Sequence, residues 1–199
     1  MAFADFIGEA YRARIQLSAT GFYVTPKIHW DKEKAEGRPF FYFTYGASVS
    51  EVAIDTLTGE NRILRVDILH DVGKSLNPAI DLGQIEGAFV QGAGWLTTEE
   101  LYWDDKGILK THAPSTYKIP ACGDRAPDMR IHIWQPGENV EDTIHKSKAV
   151  GEPPLMLGIS AFLALSDAVA SVGDYTKYPA LDAPATPERI LAAVERMTS

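Results

Sequence analysis

The 199-residue sequence holds one cysteine, Cys122, so neither an intrachain disulfide nor a thiolate metal cluster can be built within it. Such usage fits a reducing, cytoplasmic setting. Basic charge is also short: 19 Lys and Arg stand against 27 Asp and Glu, a formal net charge of −8. Nucleic-acid binding needs a clustered basic face, and aromatics are not interleaved with Lys and Arg here. Internal repeats and low-complexity tracts are absent. The opening MAFADFIGEAYRARIQL has no basic leader and no continuous apolar core, so it does not read as a signal peptide.

What is present is enough apolar residue, 45% of the chain, for one sizeable core or two small lobes. Phe3, Phe6, Ile7, Ala10, Tyr11, Ile15 and Leu17 recur at helical spacing and predict an amphipathic opening helix that needs a partner surface. The charged run Asp31 to Arg38 reads as a solvated loop. β-formers from Phe40 to Tyr45, Ser48 to Asp55 and Arg62 to Asp71 predict strands, with a hairpin turn at Thr58-Gly59-Glu60-Asn61. His70 and Asp71 read as satisfied polar residues at a strand end, since no third ligand follows at usable spacing.

After the turn signal Asn77-Pro78, a helix is predicted from Ile80, interrupted by Gly83, Gly87, Gly92 and Gly94. Each glycine costs a helix about 1 kcal/mol relative to alanine, so something needs backbone access. Two readings are open: a large ligand lies against the helix and is bonded by Gln84, or the helix packs tightly on a sheet with Gln84 and Gln91 at the rim. A second strand-rich section follows, with Ile108 to His112 and Met129 to Trp134 as its strands. Thr186, Pro187 and Glu188 start a short terminal helix.

The stretch on which the chain converges is HKSKAVGEPP, residues 145–154. Pro153 and Pro154 suit a first helical turn, and the apolar run behind them, LMLGISAFLALSDAVASV, predicts a helix lying inside the molecule. Its length is near the lower limit for a membrane span, but the leading prolines and lack of basic flanks favour a core helix. A residue before proline avoids the α region, so Glu152 is expected in extended geometry, its carboxylate presented rather than packed, with Lys146 and Lys148 nearby. That acid suits a general base; it equally suits a surface residue at a helix start.

Three segments, SLNPAIDLGQIEGAFVQGAGW, PSTYKIPA and SKAVGEPPLMLGISAF, resemble in order and separation the C-terminal part of the molybdopterin-binding subunit of the xanthine dehydrogenase and aldehyde oxidase family. The resemblance implies an α+β fold, mixed sheets packed by helices, in two lobes of about 1–75 and 76–199. It implies that Glu152 is the catalytic base beside the molybdenum and that Gln84 contacts the pterin. Gly83 and Gly87 would allow the cofactor close, and Lys148, Ala149, Val150 and Gly151 would line the site; no metal ligand is implied in this chain. The implied activity is oxidation of hypoxanthine and xanthine to urate with water as the oxygen source. The implied partners are the rest of that subunit and the domains carrying iron-sulfur clusters and FAD, with NAD as acceptor. Neither membrane nor nucleic acid is implied. Family subunits are several times longer, so the chain reads as a fragment. Two alternatives stay open: a non-catalytic module that binds a partner subunit, or an oxidase of aldehydes or other N-heterocycles.

Overall fold

The computed structural model describes residues 1–199. The chain divides into two compact units, Met1–Phe41 and Tyr42–Ser199. In the first, helix α1 (Phe3–Arg12) forms as its periodicity predicts but buries no residue; Phe3 is 80% exposed and Phe6 58%. The run expected as a loop instead contains a small hairpin, β1 (His29–Asp31) against β2 (Glu36–Arg38). Asp31 Oδ1 accepts from the Glu33 and Lys34 N–H groups and closes that turn. A local carboxylate turn, invisible to hydropathy, decides it.

The second unit is built on a three-stranded sheet, order β3-β4-β5. Strands β3 (Gly46–Ile54) and β4 (Asn61–His70) form the predicted hairpin, antiparallel, with a register shift at Glu51/Val52. Its turn is held by Asp55, whose Oδ1 accepts from Leu57 and Thr58 N–H, and by Gly59, whose φ of +76° suits glycine. Residues 40–45, expected as strand, are irregular; pairing begins only at Gly46. Strand β5 (Asp128–Ile133) lies parallel to β4, from Arg65↔Asp128 to His70↔Ile133. The sheet is therefore mixed, and with the helices packed on it the chain is α+β.

Helix α2 (Pro78–Thr97) is capped by Asn77, with Pro78 at its first position, two residues earlier than predicted. Helices α3 (Ile159–Val172) and α4 (Pro187–Thr198) complete the unit. Thr186 precedes α4 as expected, but its side chain makes no capping bond. One core joins Val66 and Ile68 of β4 to Ile85, Phe89 and Ala93 of α2 and Ala161 of α3. A second joins Leu165 and Val169 of α3 to Ile190, Ala193 and Val194 of α4, with Val52 and Ile54 of β3 alongside. Ser160 of α3 bonds Ser48 and Ser50 of β3 at 3.0 and 2.8 Å. The hairpin thus packs on helices that follow it in the chain.

Helix α3 departs from expectation. The expectation places it inside the molecule, yet only Ala161, Leu165, Val169 and Ala170 are buried, while Ile159 and Leu163 are 41% and 60% exposed. The segment Pro153–Val172 is long and apolar enough to cross a membrane by length and composition alone. Its inner face nonetheless closes both cores, the behaviour of a core helix with one flank uncovered.

Candidate functional site

Because β4 and β5 run parallel, the segments that leave them emerge on one edge, where ligand sites of parallel strands lie. The segment after β4 leads to α2; the one after β5 leads to Glu152. The two are stitched together. Lys74 N–H donates to Lys146 O at 3.0 Å and Lys148 N–H to Val72 O at 2.9 Å. Gly73 has φ +62°, and a Cβ there would sit 2.5 Å from Lys146 O, so the turn admits only glycine. The buried Asn139 donates from Nδ2 to Ser147 O at 3.2 Å and accepts from Glu141 N–H at 3.0 Å. Thr143 Oγ1 donates to the same Ser147 oxygen at 2.7 Å. His145 and Lys146 hold left-handed φ values of 51° and 62°, a strain the surrounding bonds sustain.

The lysines do not face Glu152 as bonding partners. Lys148 Nζ bonds Asp71 Oδ2 at 2.5 Å, with the two side chains 7% and 13% exposed, and it lies 5.2 Å from the Tyr45 ring centroid. Lys146 Nζ turns to Glu141 O at 3.2 Å and Asp142 at 3.3 Å. Asp71 is satisfied as expected, its other oxygen accepting from Gly73 N–H at 2.7 Å. His70 is not: it is 2% exposed and its Nδ1 has no partner. Burial holds its pKa below the ordinary histidine value, against the pull of Asp71.

Beyond Lys148, Ala149 N–H donates to Tyr42 Oη at 2.9 Å, and Val150 packs against the first core. Glu152 follows, exposed as expected but with φ −103° and ψ −38°. It is in the right-handed helical region, not extended. The cause is the turn it caps, a 3₁₀ turn over Pro153–Gly158 in which Leu155 N–H donates to Glu152 O at 3.0 Å. That bond outweighs the pre-proline preference.

The 3₁₀ turn is seated on α2 through missing side chains. A Cβ on Gly92 would lie 2.1 Å from Leu155 O, and one on Gly158 would lie 2.4 Å from Gly92 C. The backbones touch there, and the tight-packing reading of the glycines holds for Gly92. Gly94 is closed off by the Pro120 ring. Gly83 and Gly87 differ: a Cβ on either meets nothing within 4 Å. Gln84 lies between them, exposed, and a Cβ on Gly151 would be 3.8 Å from its Oε1. Gln84 and the backbone leading into Glu152 are therefore neighbours, although Gln84 and Gly151 stand 67 positions apart in the sequence.

An exposed amide, a helix stretch with open space at two glycines and the main chain leading to the exposed Glu152 thus lie side by side. Amide and main-chain groups with room beside them can hold a heteroatom-rich organic molecule. No group of three His, Cys, Asp or Glu side chains could hold a metal ion. Sequence reasoning missed Tyr42 and Asn139, and it named Asp71 only as a satisfied strand-end residue. Nothing in the order of residues signals their cross-chain bonds.

The comparisons with known proteins bear on what such a surface receives. The family model described as the molybdopterin cofactor-binding domain matches residues 1–126, and the chain belongs to that family. More particularly, it is 51% identical over 189 residues to the xanthine dehydrogenase/oxidase of Gallus gallus, covering 94% of this chain and 14% of that protein. To the xanthine dehydrogenase/oxidase of Rattus norvegicus it is 50% identical over 200 residues, covering 98% of this chain and 15% of the other. Among solved structures, the aldehyde oxidoreductase of Desulfovibrio gigas superposes with a TM-score of 0.69 at 25% identity, over 94% of this chain and 20% of that one. The chain spans about 15% of the length of the curated relatives it matches.

Proposed function

We propose that this chain is the part of a cytoplasmic, purine-oxidising molybdenum hydroxylase that supplies the general base and one wall of the molybdopterin site. The observation that carries the reading is that the main chain at Gly151, leading into the exposed Glu152 and its diproline turn, lies beside Gln84 on a helix whose Gly83 and Gly87 face open space. The relatives named xanthine dehydrogenase/oxidase at 50 and 51% identity support purine as the substrate.

In balanced form, a purine C–H and one water become C–OH, two electrons and two protons. The molybdenum cofactor, when bound, supplies the two-electron redox chemistry. The chain's own part is proton transfer and placement. Glu152 takes the proton released as oxygen attacks an electron-poor ring carbon, and its fixed turn keeps the carboxylate on one side of the reacting centre. Gln84 would hold the pterin by its amide, Gly83 and Gly87 would leave room for the cofactor, and the main chain from Lys148 to Gly151 would line the site. Iron-sulfur clusters, FAD and NAD carried outside this chain would supply the electron acceptors, and the rest of the subunit would complete the purine pocket.

Replacing Glu152→Gln in the full-length enzyme tests this. Loss of a general base costs about 10²–10⁴ in rate, so kcat for xanthine should fall at least a hundredfold while molybdenum content stays at the parent level. A kcat within about tenfold of the parent would overturn the base assignment. Xanthine and an aldehyde assayed side by side decide between purine and aldehyde oxidation, the activity for which the Desulfovibrio gigas neighbour is named.

A further inference from the structure

Glu152 is exposed and, in a chain open to solvent, a carboxylate on a connecting segment would sample many positions unless that segment were fastened upstream. Several fastenings are neutral: the main-chain bonds from Lys74 and Lys148, the Asn139 and Thr143 side chains on Ser147 O, and the Tyr42 hydroxyl on Ala149 N–H. Another is ionic and almost wholly enclosed. Lys148 sits four residues before Glu152, its Nζ 2.5 Å from Asp71 Oδ2, with the ammonium 7% and the carboxylate 13% exposed. The remaining Asp71 oxygen holds Gly73 N–H at 2.7 Å, and Gly73 is the residue whose missing Cβ lets the two segments meet. Tyr45 covers the ammonium with its ring face.

A buried ion pair is weak as a device for stability, because desolvating both charges offsets their attraction. It is good at fixing register, since a segment displaced by one residue would strand a charge out of water. The lysine expected to line the cofactor site is thus occupied on another errand. Resting on the reading of Glu152 as the base, we infer that Asp71 and Lys148 are positioning residues whose ion pair sets the register of the 146–152 segment and so the place of Glu152.

The test uses the full-length enzyme with Asp71→Asn, with the double variant Asp71→Asn/Lys148→Met, in which no charge is stranded, and with Lys148→Arg. Two readouts are taken: steady-state kinetics at measured molybdenum content, and hydrogen exchange of the peptide spanning 146–155. Misplacement of a reacting group by about 1 Å can cost up to 10² in rate. Both disrupting variants should therefore lose at least tenfold in kcat per molybdenum, with KM changed less than threefold and exchange across 146–155 accelerated. Lys148→Arg, which can still reach Asp71, should regain most of kcat.

The proposal is overturned if the double variant keeps parent exchange in 146–155, or exchanges faster yet keeps kcat within threefold. Failure of both disrupting variants to accumulate as folded protein would also overturn it, assigning the pair to stability alone. The Glu152→Gln enzyme run beside them separates the two ideas. If Glu152→Gln alone keeps its rate, the base reading fails, and the exchange data still report whether the pair holds the segment.

Discussion

Helix α2 contains four glycines, and its two ends use them oppositely. At the C-terminal end, Gly92 lets α2 touch the turn that carries Glu152 and Gly94 makes room for Pro120. At the N-terminal end, Gly83 and Gly87 touch nothing. A residue type that weakens helices is retained in one place for this chain's own packing and in the other for no contact the chain makes. The difference separates what holds the fold from what the fold holds. Of the two readings the sequence posed, tight packing holds for Gly92 and Gly94, while the ligand reading of Gly83 and Gly87 is the one proposed above.

The contrast can be broken most forcefully at its closed end. Gly92→Ala or Gly158→Ala in the full-length enzyme should destabilise the cofactor-binding domain by about 1–3 kcal/mol, the usual range for overpacking. Chemical or thermal unfolding measures it, and parent-like stability in both would mean that the backbone approach is not needed. At the open end the sign reverses. Gly83→Ala or Gly87→Ala should stabilise the cofactor-free protein by about 0.5–1 kcal/mol, since alanine favours helix and meets nothing. The same variants should lower molybdenum and pterin content; full loading in both would show that no cofactor lies on that stretch.

The smallest effect concerns pH. His70 lies on the closed side, where a Cβ on Gly46 would approach both its ring and Leu157. Burial holds the folded imidazole's pKa below the ordinary value, whereas the unfolded chain takes up a proton near about 6.5. The unfolded state then binds more protons, so this contribution is complete above that value and is lost as pH falls below it. The melting temperature of the parent should drop more than that of His70→Gln between pH 7.5 and 5.5. A gap between them that stays constant or widens on acidification would remove His70 from the account.

Local signals carried much of the fold. The β3–β4 hairpin was legible because alternation and a glycine turn agree, and α4 because Pro187 marks its first turn. The aromatics before Gly46 misled, since alternation is also what an irregular surface segment can show. Glu152 itself was legible as a presented acid, but its backbone was not, because the 3₁₀ turn that overrides the proline rule depends on α2 lying beneath it. The parallel pairing of β4 with β5, the Tyr42 bond and the Asp71–Lys148 pair all join distant residues. No window of sequence contains both partners, so pattern alone had no means to reveal them.

That long reach governs when the site can exist. Asp71 and Lys148 are 77 positions apart, and β5 must find β4 across helix α2 and the long segment that follows it. Closing so wide a loop is slow compared with forming the local β3–β4 hairpin and α2. The turn bearing Glu152 thus takes its place only after partners distant in sequence have met.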